Sequence, residues 1–257
     1  MPTMITRGTV SLKAFGFSRT LGGADATKGI FAIGYNACFT RLSTRNKYTF
    51  ATDANSCAAS ASAASSNGSA AGNSTRGIFA LGYVTGVTQS TTRNKYNYAC
   101  DTSGSATVAS TASYQSYATG NSTRGIFALG TNACGVNINT RNKYTYACCS
   151  NASAAAASRG NYCSAAAGNA TRGIFQLGGK TDGSHDKIRN KYIYACCTNS
   201  CAAASSACNA AGTAAGNTTR GIFTLGSPYY TAYYSYCRNK FTYACRSGEH
   251  TSELQSH

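Results

Sequence analysis

Residues 72–82 read GNSTRGIFALG, and residues 92–99 read TRNKYNYA. Aligned on the cation before Gly-Ile-Phe, the first stretch returns at Lys28, Arg76, Arg124, Arg172 and Arg220, a spacing of 48 residues between successive copies. The second returns as RNKY or RNKF from Arg45, Arg93, Arg141, Arg189 and Arg238. A fixed period of this length marks a repeat architecture, in which each unit buries its apolar surface by stacking on its neighbours.

Each repeat carries two strand signals. RGIFA is a short apolar run bounded by turn residues, the pattern of a buried strand. TRNKYNYA alternates with a period of two, placing Asn94, Tyr96 and Tyr98 on one face and Arg93, Lys95 and Asn97 on the other. The aromatics recur as Tyr48 with Phe50, Tyr144 with Tyr146, Tyr192 with Tyr194 and Phe241 with Tyr243, and read as core between sheets. The rest of a repeat, such as SATVASTASYQSYATGN at 105–121, has room for two more strands. Four short strands per period predict an all-β fold, a β-propeller of four-stranded blades, with a β-solenoid as the alternative. Gly72-Asn73, Gly120-Asn121, Gly168-Asn169 and Gly216-Asn217 predict tight turns, since Gly and Asn both tolerate positive φ. Asn73-Ser74-Thr75 and its copies also match a glycosylation acceptor, but with no secretory signal the turn reading is preferred.

The motif order, an apolar strand ending in Gly, a loop, then a Tyr-bearing strand, resembles kelch-type blades. It departs from them at the usual Gly-Gly and at Trp, which this chain lacks. STRGIFALG with TRNKYTYA, and the opening TRGTVSLKAFGF at 6–17, more closely resemble the kelch-like repeat proteins of bacteriophage and environmental bacterial sequences. That resemblance spans residues 1–245. It implies a propeller-like fold and a virion or cell-surface setting, and it brings no catalytic residues.

The final RSGEHTSELQSH, residues 246–257, holds both glutamates and two of the 3 histidines. It resembles an in-frame translation of a sequencing adapter, differing at Gly248. The expected organisation is therefore a lead-in at 1–27 that completes the last blade, a five-repeat array at 28–245 with its last repeat cut short, and a non-native tail at 246–257. A natural chain running on past Cys245 is the corresponding expectation.

Composition narrows the chemistry. The net charge of +16 invites a nucleic-acid or polyanion reading, and its carriers are Arg45, Lys47, Arg93, Lys95, Arg141, Lys143, Arg189, Lys191, Arg238 and Lys240. Because these cations follow the structural period, a solvated or inter-strand role is preferred. The 13 cysteines show no C-x-x-C spacing and almost no histidine partners, which argues against a zinc site. Cys100, Cys148, Cys196 and Cys245 stand where the first repeat has Thr52, and read as small packed thiols. Cys201 with Cys208 is the best disulfide candidate. No apolar run spans a bilayer, and the N-terminal stretch lacks the apolar core of a secretory signal.

Function is expected where the copies differ. Between the two constant motifs stand YNACFTRLST, YVTGVTQSTT, TNACGVNINT, GKTDGSHDKI and SPYYTAYYSYC. Variable loops on a rigid frame suit recognition. The candidate ligand-binding residues are Tyr229, Tyr230, Tyr233, Tyr234 and Tyr236, where Tyr offers contact area at low entropic cost, together with Phe39, Arg41, Asp182, His185 and Asp186. The expected activity is non-catalytic binding of a glycan or protein, with nucleic acid as the alternative partner and no cofactor or metal. Acid/base catalysis finds few groups here, since the repeats offer only scattered Asp and one His.

Overall fold

The computed structural model describes residues 28–32, 34–86, 89–208, 212–224, 226 and 238–243. These form five antiparallel blade sheets in chain order and two smaller two-stranded sheets, with no helix among the described residues. Blade 1 comprises Lys28–Ala32, Arg45–Thr49 and Ala54–Ala58. Blades 2, 3 and 4 have four strands each: Ser69–Gly72, Arg76–Ala80, Arg93–Asn97 and Thr102–Ala106; Tyr117–Gly120, Arg124–Ala128, Arg141–Thr145 and Ser150–Ala154; Ala165–Gly168, Arg172–Gln176, Arg189–Ile193 and Thr198–Ala202. Blade 5 comprises Ala214–Gly216, Arg220–Thr224 and Arg238–Thr242. The first strands of blades 2 to 5 pack one against the next, and their small residues allow that close approach. The result is a five-bladed propeller arrangement. The lead-in at 1–27 and the tail at 246–257 lie outside the described residues.

Both faces of blades 2, 3 and 4 are buried against a neighbour, which the alternating sequence anticipated for only one of them. Ile30, Ile78, Ile126 and Ile174 are fully buried, each packing on the Phe of the following blade or on its neighbours. Tyr96, Tyr144 and Tyr192 are buried as well. Gly125 shows why the position after the cation admits no side chain: a Cβ there would stand 3.0 Å from Ala71 Cβ of the preceding blade and 2.9 Å from Tyr146 Oη.

The same junctions hold the arginines. Arg45 donates from Nη2 to Asn94 Oδ1 at 3.0 Å and from Nη1 to Ser103 Oγ at 2.9 Å. Its guanidinium lies 4.3 Å from the centroid of Phe79, within cation–π range. Arg93 repeats this with Asn142, Asn151 and Phe127, and Arg141 with Asn190, Asn199 and Phe175. Arg189 bonds Asn239 and stacks on Phe223, and also holds Gln176 of its own blade. Each receiving Asn is bound in turn to the connector beside it: Asn94, Asn142, Asn190 and Asn239 take the backbone N–H of Ser62, Ser110, Ser158 and Ser206, and donate to their hydroxyls. Arg-Asn is thus a donor and an acceptor facing opposite neighbours.

The Gly-Asn turns hold without positive φ at either residue. Asn73 Oδ1 accepts the N–H groups of Thr75 and Arg76, an Asx turn, and its Nδ2 donates to Ser122 O in the next blade at 2.9 Å. Asn121 and Asn169 do the same toward Ala170 and Thr218. The amide nitrogen that a glycan would modify is committed to the junction.

Positive φ falls instead at the turn closing the third strand, on Asp53, Asp101, Cys149 and Cys197. Asp101 receives Lys28 at 3.4 Å, Tyr96 Oη at 3.1 Å and Lys47. Burial pushes its carboxyl up, but the bonds from Lys47 and Tyr96 and the charge of Lys28 outweigh this and hold it below the usual carboxylate range. In the next two junctions Arg76 and Arg124 approach Cys149 and Cys197 at 3.3 Å. Cys149→Asp supplies to Arg76 the carboxylate that its counterpart Lys28 meets as Asp101 in the first junction, at a φ that Asp tolerates better. A gain of about 1 kcal/mol in urea unfolding is expected; a loss would mean that the thiol is packed and not merely placed.

The remaining thiols depart from the sequence reading. Cys100, Cys148 and Cys196 are exposed, not packed, and pair with the hydroxyls of Thr102, Ser150 and Thr198. Those hydroxyl contacts lower the thiol pKa of Cys148 and Cys196. Cys201 and Cys208 are free thiols and form no disulfide. Cys245 lies outside the described residues.

Candidate functional site

In an antiparallel meander the second-to-third strand connectors leave every blade at the same end as the links to the next blade. Here they are tied to one another. Ser65–Ser66 pairs with Tyr83–Val84, and Ser113–Tyr114 with Thr131–Asn132. Single bridges join Leu42 to Ser65 and Ser90 to Ser113 across blades. The first three variable connectors therefore form one interlinked end of the propeller.

A row of aromatic and polar groups crosses this end from blade 1 to blade 3. Arg41 donates from Nε to Ser66 Oγ at 3.1 Å, and its guanidinium lies 4.8 Å from the Tyr83 ring and 5.6 Å from the Tyr35 ring. Ser66 Oγ bonds Tyr35 Oη at 3.1 Å. Tyr83 meets Tyr114 edge to face at 4.8 Å between centroids. Tyr35, Arg41, Tyr83 and Tyr114 are half-buried, so each presents part of its surface to solvent while its rotamer is held by neighbours. Reading the sequence singled out Arg41 but missed Tyr35, Tyr83 and Tyr114; the available signal was Tyr opening the first two connectors.

Phe39, also singled out, sits at the tip of the first connector with 80% of its surface exposed and φ of 56°. Its turn is set by Asn36, whose Oδ1 accepts the N–H groups of Cys38 and Thr40. The third and fourth connectors place Gly135 and Gly183 at this point, with φ of 75° and 79°. A bulky side chain in the left-handed region is strained and costs about 1 kcal/mol relative to Gly. Strain of this kind collects at functional positions.

The fourth connector does not assemble its polar residues into one centre. Asp182 Oδ1 accepts Ser184 N and Oγ within its own turn. Asp186 pairs with Arg159 at 2.8 Å and lies 3.9 Å from Lys180. His185 bridges through its backbone to Gly179. No group of three or more His, Cys, Asp or Glu fit to hold a metal occurs among the described residues. Tyr229, Tyr230, Tyr233, Tyr234 and Tyr236 lie outside the described residues.

The cations of RNKY are distributed unlike a charged ring. Arg45, Arg93, Arg141 and Arg189 are buried, which removes them from any polyanion surface. Burial draws Arg45, Arg93 and Arg189 down to about 10, and lowers Arg141. Lys47 is paired with Asp101, Lys95, Lys143 and Lys191 are half-buried, and only Arg238 and Lys240 of the set are exposed.

No protein-family model and no curated protein sequence matches the chain. Among solved structures it is similar to YjhT, a propeller-like protein, with a TM-score of 0.63 at 12% identity over 79% of this chain and 70% of that one. The likeness is one of fold. It agrees with a propeller and sets aside the solenoid arrangement. The described residues contain no helix long and apolar enough to cross a membrane.

Proposed function

We infer that this protein is a non-catalytic recognition module of kelch-like type, binding a glycan or protein ligand across its connector end. The observation that carries the reading is Phe39, an exposed aromatic in a conformation that disfavours it, beside the row of Tyr35, Arg41, Tyr83 and Tyr114. Aromatic rings with hydroxyls and a guanidinium suit the mixed apolar and polar faces of a sugar. Connectors that differ between copies on a constant frame fit a surface selected for its ligand. The virion or cell-surface setting implied by the sequence resemblance is one where such binding is used. The nucleic-acid reading is weakened by burial of four of its arginines.

Two substitutions test this reading. Phe39→Gly relieves the left-handed strain and is expected to raise stability by about 1 kcal/mol, while weakening capture on an immobilised oligosaccharide panel or by a protein ligand at least tenfold. Arg41→Ala is expected to weaken the same capture without the stability gain. Capture that survives both changes undiminished would place the binding surface elsewhere.

A further inference from the structure

The first three junctions bring the same positions together, and at one of them the chemistry changes. In the first, Lys28 donates to Tyr98 O at 3.2 Å and reaches Asp101 at 3.4 Å, while Lys47 and Tyr96 Oη complete the partners of the carboxylate. In the second, Arg76 donates to Tyr146 O at 2.8 Å and comes within 3.3 Å of Cys149 Sγ. In the third, Arg124 donates to Tyr194 O at 3.0 Å and comes within 3.3 Å of Cys197 Sγ. Lys95 and Lys143 hold the strand position of Lys47, opposite Ile78 and Ile126 as Lys47 is opposite Ile30. The donors are kept while the acceptor changes from a carboxylate to a thiol, which accepts weakly.

The phenols register the same change. Tyr96 Oη donates to Asp101. Its counterparts Tyr144 and Tyr192 are fully buried, and their hydroxyls find no hydrogen-bond partner of ordinary geometry among the described residues. Both point at the thiols: after burial, Cys149 and Cys197 are the neighbours that raise these two phenols. A buried hydroxyl without an acceptor is costly, and a guanidinium beside a neutral thiol forgoes the charge-assisted bonds of a carboxylate. Negative charge carried on oxygens at the sulfur satisfies both groups at once.

We propose that Cys149 and Cys197 are sites of oxidation by hydrogen peroxide to the sulfinate, which then takes the part that Asp101 plays in the first junction. In the first step the sulfur bonds to one peroxide oxygen, the O–O bond breaks, and the thiol proton leaves with the other oxygen as water, giving the sulfenic acid. A second peroxide adds another oxygen to the same sulfur, releases another water and gives the sulfinic acid, which ionises. Sulfur loses two electrons in each step and the peroxide gains them. The product has two oxygens and one negative charge, so it accepts from Tyr144 or Tyr192 and pairs with Arg76 or Arg124. Both thiols are half-buried, which leaves them open to a small oxidant. Oxidation here tightens the array, where a new charge buried without a cation would loosen it.

Peroxide treatment of the full chain at high dilution tests this. Mass spectrometry of its peptides reads the product at each cysteine, and urea unfolding is compared before and after. Cys149 and Cys197 are expected to carry two added oxygens, and the unfolding midpoint to rise by about 0.5 M or more. Cys149→Ser with Cys197→Ser keeps the exposed thiols Cys100, Cys148 and Cys196 and should lose that rise. Arg76→Gln with Arg124→Gln keeps every sulfur but removes the guanidinium charges, and should abolish or reverse the rise, which reaction at exposed thiols alone would not do. Cys149→Asp with Cys197→Asp should match the oxidised wild type and gain nothing from peroxide. Unmodified Cys149 and Cys197 in a chain whose exposed thiols have reacted would overturn the proposal. So would a disulfide from Cys149 to Cys148, or an oxidised wild type no more stable than the reduced one.

Discussion

Arg141→Ala is expected to destabilise the protein by about 3 to 5 kcal/mol and to separate one unfolding transition into two. The side chain is fully buried between blades 3 and 4, and its loss leaves the Asn199 and Asn190 oxygens without their arginine donor and the Phe175 ring uncovered. A buried acceptor that loses its partner costs about 1 to 3 kcal/mol, and the vacated volume adds a cavity term. Removing a desolvated charge offsets part of this, which is why the sum stays below the additive value. Blades touch chiefly their neighbours, so weakening one junction uncouples the array at that point. Arg141→Met fills the volume over Phe175 without the hydrogen bonds, and is expected to recover about half of the loss. Arg238→Ala removes the equivalent residue where it is exposed, and should change stability by less than about 0.5 kcal/mol. Urea unfolding followed by circular dichroism and by tyrosine fluorescence reads all three; equal effects at 141 and 238 would refute the clamp.

Alkaline pH is expected to unfold the protein in one step between about pH 11 and 12, with tyrosinate absorbance rising as β-sheet dichroism falls. Burial raises the phenol pKa of Tyr96 and Tyr144 to about 12, and raises Tyr98, Tyr117, Tyr146, Tyr192, Tyr194 and Tyr243 as well. In the unfolded chain the same groups ionise near 10. Their contribution is therefore complete below pH 10 and is lost as pH rises toward the folded values. The four buried arginines act in the opposite sense. Their folded values lie below the unfolded one, so the cost of burying their charge is relieved as pH climbs toward the unfolded value. Each group changes stability by about 1.4 kcal/mol per pH unit in this window, and eight tyrosines outnumber four arginines. The net fall is roughly 5 kcal/mol per unit, enough to exhaust ordinary stability within two. Independent ionisation near pH 10 with the sheets intact would show that the phenols are open to water.

The frame was legible from sequence because it is periodic. Strand positions follow from the apolar run in RGIFA and the alternation in RNKY, and the small residues of Ser69–Gly72 and its copies suit strands that pack side by side. Alternation alone does not say that a cationic face is buried, because charge normally marks solvent. Only the Phe and Asn contributed by the following blade, dozens of residues away, make the burial of Arg45 and Arg93 tolerable. The small residue after Tyr-Ala misled for a related reason: Cys100 and Cys148 replace Thr52 at an exposed turn that asks for a short side chain, not an apolar one. At the connector end, Phe39 and Arg41 were visible as unusual residues in a variable loop. The partners of Arg41 were not, since Tyr83 reaches it from another repeat and Ser66 from a link that carries no motif.

Because Arg-Asn carries donor and acceptor on opposite faces of every blade, the interface does not depend on which blade follows which. Unequal exchange between two gene copies of the unit would add or delete 48 residues and leave the surviving partners matched. Blade number is then free to drift in a lineage while the frame stays fixed, and a new connector can arise by duplication beside an old one that continues to work.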